Sequence, residues 1–246
     1  MTEYVGKSQI NNTPDSDSRK MKKWLFIATI LLLVFYLGAA FLAPMMMKTG
    51  HQRFAQMIYK VYRPACHQLA YRSFFLFGEQ AIYPLELAGL EGFKTYEEIT
   101  GFDAGDADAA KNLVGNEQMG YKIALCQRDL AIFSSILLFI LIYACFGKRI
   151  KPLSWWVWLL LAVIPIGLDG TSQLISQMRL TWLSCLALRE STPFLRLLTG
   201  FLFGFLSAWF IIPNIRGDIN QAHEAKPNKK TEEPQGLEEK IIHENN

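Results

Sequence analysis

Two cysteines are the first residues of this sequence whose types and surroundings could do chemistry. Cys66 is followed directly by His67, Cys126 precedes Asp129 by three positions, and neither cysteine belongs to a C-x-x-C pair. Thiolate and imidazole groups are preferred zinc ligands, whereas two thiols in an oxidising compartment can form a disulfide. Three interpretations stay open: a zinc site of Cys66, His67 and Cys126, with Asp169 as a further candidate ligand; a Cys66–Cys126 disulfide; or two reactive or buried thiols.

The polar segment that begins at Cys66 continues with Gln68, Arg72 and Ser73. Arg72 follows Gln68 by one helical turn, so both side chains could present hydrogen-bond donors to an anion at one end of a short helix. The alternative is an arginine that only extends its side chain to the membrane interface.

A polar stripe runs along a later apolar segment, where Asp169, Gln173 and Gln177 recur every four residues. On a helix these side chains share one face, which should point toward other helices and away from lipid. An ionisable residue in a membrane segment favours a functional site by default. The alternative is a carboxylate that pairs with Arg128 or Arg196 only to hold the helices together.

Long apolar runs indicate what must position these residues. Hydrophobic residues make up 51% of the chain, and the charged 19% are concentrated in the first 23 residues, in 79–122 and in the last 33. The predicted fold class is therefore an all-α, polytopic integral membrane protein with about four transmembrane helices and an amphipathic interfacial helix. The predicted membrane domain is 24–213, with spans at about 24–43, 123–146, 153–175 and 194–213.

The connections between these spans also carry predictions. Pro44 should close the first span, and a periodic pattern of Phe54, Met57 and Val61 predicts an amphipathic helix over residues 53–77, interrupted at Pro64. Residues 79–122 are rich in glycine and acidic side chains, which predicts a solvated lobe or long loop. Gly200 and Gly204 form a G-x-x-x-G pattern that favours close helix packing, and Cys145 and Cys185 are interpreted as small core hydrophobes.

Basic residues predict the orientation in the membrane. The short connector Gly147–Pro152 contains Lys148, Arg149 and Lys151, and a second basic cluster ends the segment 1–23. Such clusters mark the cytoplasmic side. We therefore expect a multi-pass protein of the cell membrane with disordered cytoplasmic tails at 1–23 and 214–246 and an outer loop at 44–122.

Helix length predicts that the polar residues converge. The apolar cores 130–146 and 153–168 each extend about 25 Å, short of a hydrocarbon layer of about 30 Å, so both must draw adjacent charged residues into the bilayer edge. Antiparallel spans place those charged ends in one leaflet. The predicted site, which is structural or ligand-binding, contains Cys66, His67, Gln68, Arg72, Ser73, Cys126, Arg128, Asp129, Asp169, Gln173, Arg189, Glu190 and Arg196.

The sequence does not select one activity for this site. Lysines and arginines flank the apolar runs and form no basic face with interleaved aromatic residues, so nucleic acid is excluded as a partner and the lipid bilayer is the expected one. Protein partners are not indicated, and zinc is the candidate cofactor. A membrane enzyme acting on a lipid or thiol is the alternative function. Transport is weaker, because no charge lies at the middle of a span.

Several of these motifs together resemble the uncharacterised bacterial and archaeal membrane proteins grouped as domain of unknown function 2085. The matching stretches are Cys66-His67-Gln68, Arg72-Ser73-Phe74, Cys126-Gln127-Arg128-Asp129, Ala131-Ile132-Phe133, Asp169-Gly170 with Gln173, Arg189-Glu190-Ser191, Leu195-Arg196 and Thr199-Gly200. The resemblance covers residues 60–205 and implies an outer-face Cys/His/Arg/Asp site of unknown activity. Family members often have C-x-R-C where this chain ends the motif with Asp129, and the 79–122 segment is longer than is usual in the family.

Overall fold

The computed structural model describes residues 14–103, 105–147, 149–177 and 189–224. Most of these residues are helical. The helices are α1 (Pro14–Lys48), α2 (Gln52–Tyr62), α3 (Tyr96–Thr100), α4 (Ala107–Asn112), α5 (Gln127–Phe146), α6 (Trp155–Trp158), α7 (Ile164–Gln177) and α8 (Pro193–Glu224). The strands are β1 (Ser73–Leu76), β2 (Gly115–Asn116) and β3 (Gly120–Cys126).

Within the described residues, four helical segments are long and apolar enough to cross a membrane, which confirms the predicted fold class. They are Lys23–Lys48, Gln127–Phe146, Trp155–Ser176 and Pro193–Ile215. The third combines α6 and α7 through one π-helical segment, Leu159–Val163. π-helical segments are uncommon within α-helices and often lie near functional sites.

The helices that contain the first and the last span extend further than predicted. α1 begins at Pro14, inside the expected tail, and continues through Pro44 to Lys48. α8 likewise passes Pro213 and ends at Glu224. A proline removes one backbone hydrogen bond, but a membrane helix can continue past it when its surroundings satisfy the freed carbonyl. The rest of the predicted tails, 1–13 and 225–246, lies outside the described residues.

The predicted helix over residues 53–77 is wrong in its second half. α2 ends at Tyr62, two residues before Pro64, because a proline has no backbone N–H and so cannot donate the next hydrogen bond of the helix, to the carbonyl of Lys60. The chain then forms a short 3-10 turn at Ala70–Arg72 and enters β1. On α2 itself the predicted amphipathic face is present, since Phe54, Met57 and Val61 are all exposed.

Residues 64–126, here called the lobe, fold around a small antiparallel sheet that the sequence did not predict. The strand order is β1-β3-β2. The segment between β1 and β2 contains α3 and α4, and four aromatic residues, Tyr71, Phe75, Tyr83 and Tyr96, belong to one buried core in the lobe. The acidic 79–122 segment is therefore part of a folded lobe that has its own core.

The second span begins four residues later than predicted, because Ile123 belongs to β3. Ile123, Ala124 and Leu125 are buried against α1 and α2, so both faces of this strand are covered. A strand covered on both faces has a continuous apolar run, which periodicity cannot distinguish from the start of a membrane helix. β3 leads directly into α5, and this junction positions the candidate site.

α5 and α8 pack closely along the two glycines of the G-x-x-x-G pattern. A Cβ atom at Gly200 would lie 2.7 Å from the carbonyl oxygen of Arg128, and one at Gly204 would lie 2.4 Å from that of Ile132. Real side chains do not tolerate such distances to backbone. The prediction of close helix packing is confirmed, and it brings the first turns of α5 and α8 together.

Candidate functional site

The candidate site lies at the junction of β3 and α5, where the lobe meets the helix bundle. Cys126 is the N-cap residue of α5, and its Sγ accepts a hydrogen bond from the backbone N–H of Asp129 at 3.4 Å. A residue at the N-cap and one three positions later lie on the same side of the first turn. The side chains of Cys126 and Asp129 therefore face one small volume.

Cys66 completes a group of three candidate metal ligands in this volume. Its buried Sγ accepts a hydrogen bond from the backbone N–H of Cys126 at 3.3 Å. One ligand atom each from Cys66, Cys126 and Asp129 lies within 4.8 Å of the other two. The hydrogen bond between the two thiols, together with burial, raises the pKa of Cys66. This thiol is therefore protonated at neutral pH in the structure shown.

The cysteines that the structure describes carry no disulfide. Cys66, Cys126 and Cys145 are free thiols, and Cys185 lies outside the described residues. Cys145 is exposed on the outside of α5, so its assignment to the core was wrong. On a membrane helix an apolar position can face lipid instead of protein, and hydropathy alone does not separate the two.

A first buried carboxylate, Glu190, joins the lobe to α8. Its two oxygens accept hydrogen bonds from Nε and Nη2 of Arg72, at 2.7 and 2.8 Å, in a two-point ion pair. Arg196, on the first turn of α8, pairs with the same carboxylate. Nη1 of Arg196 also donates to the Gln127 side chain at 3.3 Å. Buried charges require such partners, because their lost hydration has to be replaced.

A second buried carboxylate, Asp169, joins α7 to α5 in the same way. Arg128 pairs with it, Arg189 approaches to 3.4 Å, and the Ser191 hydroxyl donates to it at 3.1 Å. Gln173 lies one turn further along α7 and is also buried. The structure thus places two members of the predicted stripe against other helices, whereas the Gln177 side chain is not among those described.

A cavity of about 210 Å³ lies beside these ion pairs, at the lobe end of the helix bundle. Its lining consists of Ala65, Cys66, His67, Gln68, Leu69, Arg72, Cys126, Arg128, Asp129, Gln173 and Arg196. The Nε atoms of Arg128 and Arg196 are buried and have no hydrogen-bond partner. With the two buried carboxylates counted, four guanidinium groups (Arg72, Arg128, Arg189 and Arg196) stand against three carboxylates (Asp129, Asp169 and Glu190), so this end of the bundle has an excess of one positive charge.

Gln68, which lines the cavity, has an unusual backbone conformation. Its φ is +54°, in the left-handed region that costs a side-chain-bearing residue about 1–2 kcal/mol. Its side chain donates to the carbonyl of Tyr59 at 2.9 Å, and its own carbonyl accepts from Nζ of Lys122 at 2.7 Å. Burial lowers the pKa of Lys122 to about 7. Strained backbone of this kind persists where surrounding contacts fix it, often beside a ligand.

Most of the predicted site residues come together, but two positions differ from the expectation. His67 is exposed and is not part of the group of Cys66, Cys126 and Asp129, so Asp129 takes the place given to His67 in the predicted ligand set. Ser73 lies opposite Cys126 in the sheet and donates to the carbonyl of Leu69 instead of lining the cavity.

Sequence reasoning also missed three buried polar residues that support the site. They are Lys122, which donates to the carbonyl of Gln68, Tyr59, whose hydroxyl donates to the carbonyl of Lys122 at 2.5 Å, and Gln127, which pairs with Arg196. A lysine within the apolar end of β3 was the available signal for Lys122. Gln127 belongs to the family motif Cys126-Gln127-Arg128-Asp129 but was not assigned to the site, and no pattern in the sequence distinguished Tyr59.

Four apolar helices and a polar site at one end of them define a polytopic membrane protein. Residues 118–210 match the family described as "Predicted membrane protein (DUF2085)". An uncharacterized protein of Methanocaldococcus jannaschii is 31% identical over 202 residues, a match that covers 78% of this chain and 93% of the relative. The chain belongs to this family, as its motifs indicated. No solved structure matches it.

Proposed function

We propose that the protein binds a small anionic ligand in the cavity at the lobe end of its helix bundle. The observation that carries this proposal is that Arg128 and Arg196, two residues that line the cavity, each have a buried Nε atom without a hydrogen-bond partner. A buried donor without a partner costs about 1–3 kcal/mol, so native proteins rarely retain one without an acceptor. Two such donors around one cavity favour an anionic acceptor there.

The residues around the cavity support an anion as well. Arg72 and Arg196 share Glu190, and Arg128 and Arg189 share Asp169, so each buried carboxylate is matched by two guanidinium groups. One guanidinium of each pair is therefore not neutralised by that carboxylate. Guanidinium groups bind phosphate and carboxylate through paired, directional hydrogen bonds.

The size of the cavity limits the ligand. Pockets for drug-sized ligands are about 300–1,000 Å³. At about 210 Å³ this cavity admits an inorganic oxyanion, or the anionic end of a larger molecule. The two free thiols and Asp129 lie in the wall of this cavity, where a bound metal ion would hold them together.

We also propose an orientation of the protein in the membrane. The connector with Arg149 and Lys151 follows the end of α5 remote from the lobe, and basic residues accumulate on the cytoplasmic side. We therefore place the lobe and the cavity on the extracytoplasmic side, and the chain termini in the cytoplasm.

Equilibrium binding of inorganic phosphate to the purified full chain tests the anion proposal. Native protein should bind phosphate at one site, and Arg128→Gln should weaken binding by at least about tenfold, because one charge-assisted hydrogen bond contributes about 1.5–3 kcal/mol. Lys94→Gln removes an exposed cation elsewhere on the lobe and should bind as the native protein does. Equal binding by native protein and Arg128→Gln would contradict the proposal.

A membrane enzyme acting on a lipid or thiol is the second candidate function. The observation in its favour is that the two thiols and the arginines line one cavity, so an anionic substrate would lie beside sulfur. The raised pKa of Cys66 counts against a thiolate nucleophile at neutral pH. Mass spectrometry of glutathione and of phospholipid after incubation with the protein tests it, and unchanged substrates would exclude both reactions.

A further inference from the structure

Three donor atoms at the β3–α5 junction are arranged as metal ligands are. Cys66, Cys126 and Asp129 come from two separate segments, and one donor atom of each lies within 4.8 Å of the others. Around tetrahedral zinc, Zn–S bonds of about 2.3 Å place the donors about 3.7 Å apart. The three donor atoms are therefore at most about 1 Å further apart than one zinc ion requires.

The backbone around both sulfurs favours their negatively charged form when a cation is present. Sγ of Cys66 accepts from the N–H of Cys126, and Sγ of Cys126 accepts from the N–H of Asp129. Hydrogen bonds donated to a ligand atom orient it and stabilise its charge, as outer-shell partners do in metal sites. Cys126 is also the N-cap of α5, where the helix dipole favours negative charge.

The donor chemistry identifies the class of ion. Two thiolates and one carboxylate suit zinc, whereas calcium and magnesium prefer oxygen ligands alone. Binding releases one proton from each thiol, so two protons leave as Zn²⁺ enters and the net charge of the group does not change. No oxidant or reductant is required.

Three protein ligands leave one position of a tetrahedral zinc ion for an exogenous ligand. Sites with three protein ligands and one open position are typical of zinc that binds a water molecule or a substrate. All three donor residues line the cavity, whose lining also includes Arg128 and Arg196. An anion in this cavity could therefore contact both the metal ion and the guanidinium groups.

We infer that Cys66, Cys126 and Asp129 bind one zinc ion in the cavity wall, and that its open position receives the anionic ligand bound by the arginines. This inference rests on the proposed function for the identity of the fourth ligand only. The three protein ligands follow from their own geometry. His67, the histidine next to Cys66 in the sequence, is not a ligand in this site.

Metal content of the purified full chain is the direct test. The protein is kept reduced, stripped with a chelator, reloaded with zinc and measured by mass spectrometry of the metal and by titration against a chromophoric chelator. We expect one tightly bound zinc per chain in native protein. Cys126→Ser and Asp129→Asn should each weaken zinc binding at least about tenfold, the loss typical of altering a metal-site contact.

Cys145→Ser is the matched control, because it removes a free thiol that lies outside the cavity. It should bind zinc as the native protein does. Thermal unfolding of each variant without metal shows whether it is folded, and cobalt added to native protein should give thiolate-to-cobalt charge-transfer absorption. That spectrum tests the ligand set without any substitution. An absent thiolate band, or a reduced native protein that binds no zinc, would overturn the inference.

Phosphate binding with and without zinc separates this inference from the proposed function. If both hold, zinc strengthens phosphate binding in native protein but not in Cys126→Ser, while Arg128→Gln still binds zinc. Phosphate binding that is the same with and without zinc would contradict the open-position ligand and leave the anion site intact. An intact mass that shows a Cys66–Cys126 disulfide in zinc-loaded protein would contradict the metal site alone.

Discussion

Replacement of Lys122 by methionine should remove the increase in the free energy of unfolding with pH that this buried lysine causes. Lys122 lies in β3 and is 1% exposed, and its Nζ donates to the carbonyls of Gln68 at 2.7 Å and Lys111 at 2.8 Å. Burial lowers its pKa from 10.5 to about 7, and the nearby charge of Arg63 adds to this. Methionine has a similar length but neither charge nor donor.

The size of the effect follows from the two pKa values. The gap between 10.5 and about 7 corresponds to about 5 kcal/mol against the charged amine in the folded state. Below pH 7 this cost is present in full. Between pH 7 and 10.5 the unfolded chain binds a proton that the folded protein lacks, so the free energy of unfolding rises with pH. Methionine removes the cost but leaves two carbonyls without their donor, at about 1–3 kcal/mol each.

Which protein is more stable, the native one or Lys122→Met, should therefore depend on the pH. At pH 6 we expect Lys122→Met to be the more stable by about 1–2 kcal/mol, and at pH 10 the native protein by about 2–3 kcal/mol. Thermal unfolding of the purified full chain, followed by circular dichroism at both pH values, measures this. Lys60→Met removes an exposed lysine of α2 and serves as the control. Parallel pH profiles for native protein and Lys122→Met would refute the reasoning.

Two further predictions concern the contacts that hold the helices together. Gly204→Leu should destabilise the protein by about 3 kcal/mol or more, because its Cβ would lie 2.4 Å from the carbonyl oxygen of Ile132. Gly38→Leu, where no atom lies within 4 Å of such a Cβ, should leave the melting temperature nearly unchanged. Glu190→Gln should cost about 3–5 kcal/mol, since the buried guanidinium of Arg196 and the half-buried one of Arg72 lose their shared carboxylate. Glu79→Gln, in the exposed ion pair with Lys94, is the control and should have no measurable effect on thermal unfolding. Equal losses of stability in Glu190→Gln and Glu79→Gln would contradict a stabilising role of the buried ion pairs.

Hydropathy and helix length predicted the features that depend on the bilayer. A membrane requires long apolar helices, so the four spans are readable from the sequence within a few residues. Short apolar cores with charged ends predicted that Arg128, Asp169 and Glu190 lie at one end of the bundle, and the structure places them there. Glycines at Gly200 and Gly204 predicted the close contact of α5 with α8.

The features that depend on the lobe could not be predicted in this way. The apolar run that begins at Ile123 is a strand buried on both faces, and its composition is the same as that of a membrane helix. The choice of Asp129 over His67 in the thiol group depends on Cys126 being the N-cap of α5, because the cap fixes which side chains share a face. Lys122 reaches Gln68 only through the fold of the lobe.

Protection of Cys126 from alkylation by a bound anion tests the central claim most directly. The full chain with Cys145→Ser and Cys185→Ser is reconstituted in sealed vesicles of known orientation, reduced and kept with a chelator, and labelled with a membrane-impermeant maleimide. We predict labelling only from the extracytoplasmic side, at a rate that inorganic phosphate lowers in this protein and does not lower when Arg128→Gln is added. Labelling from the opposite side, or a rate that phosphate leaves unchanged, would contradict it.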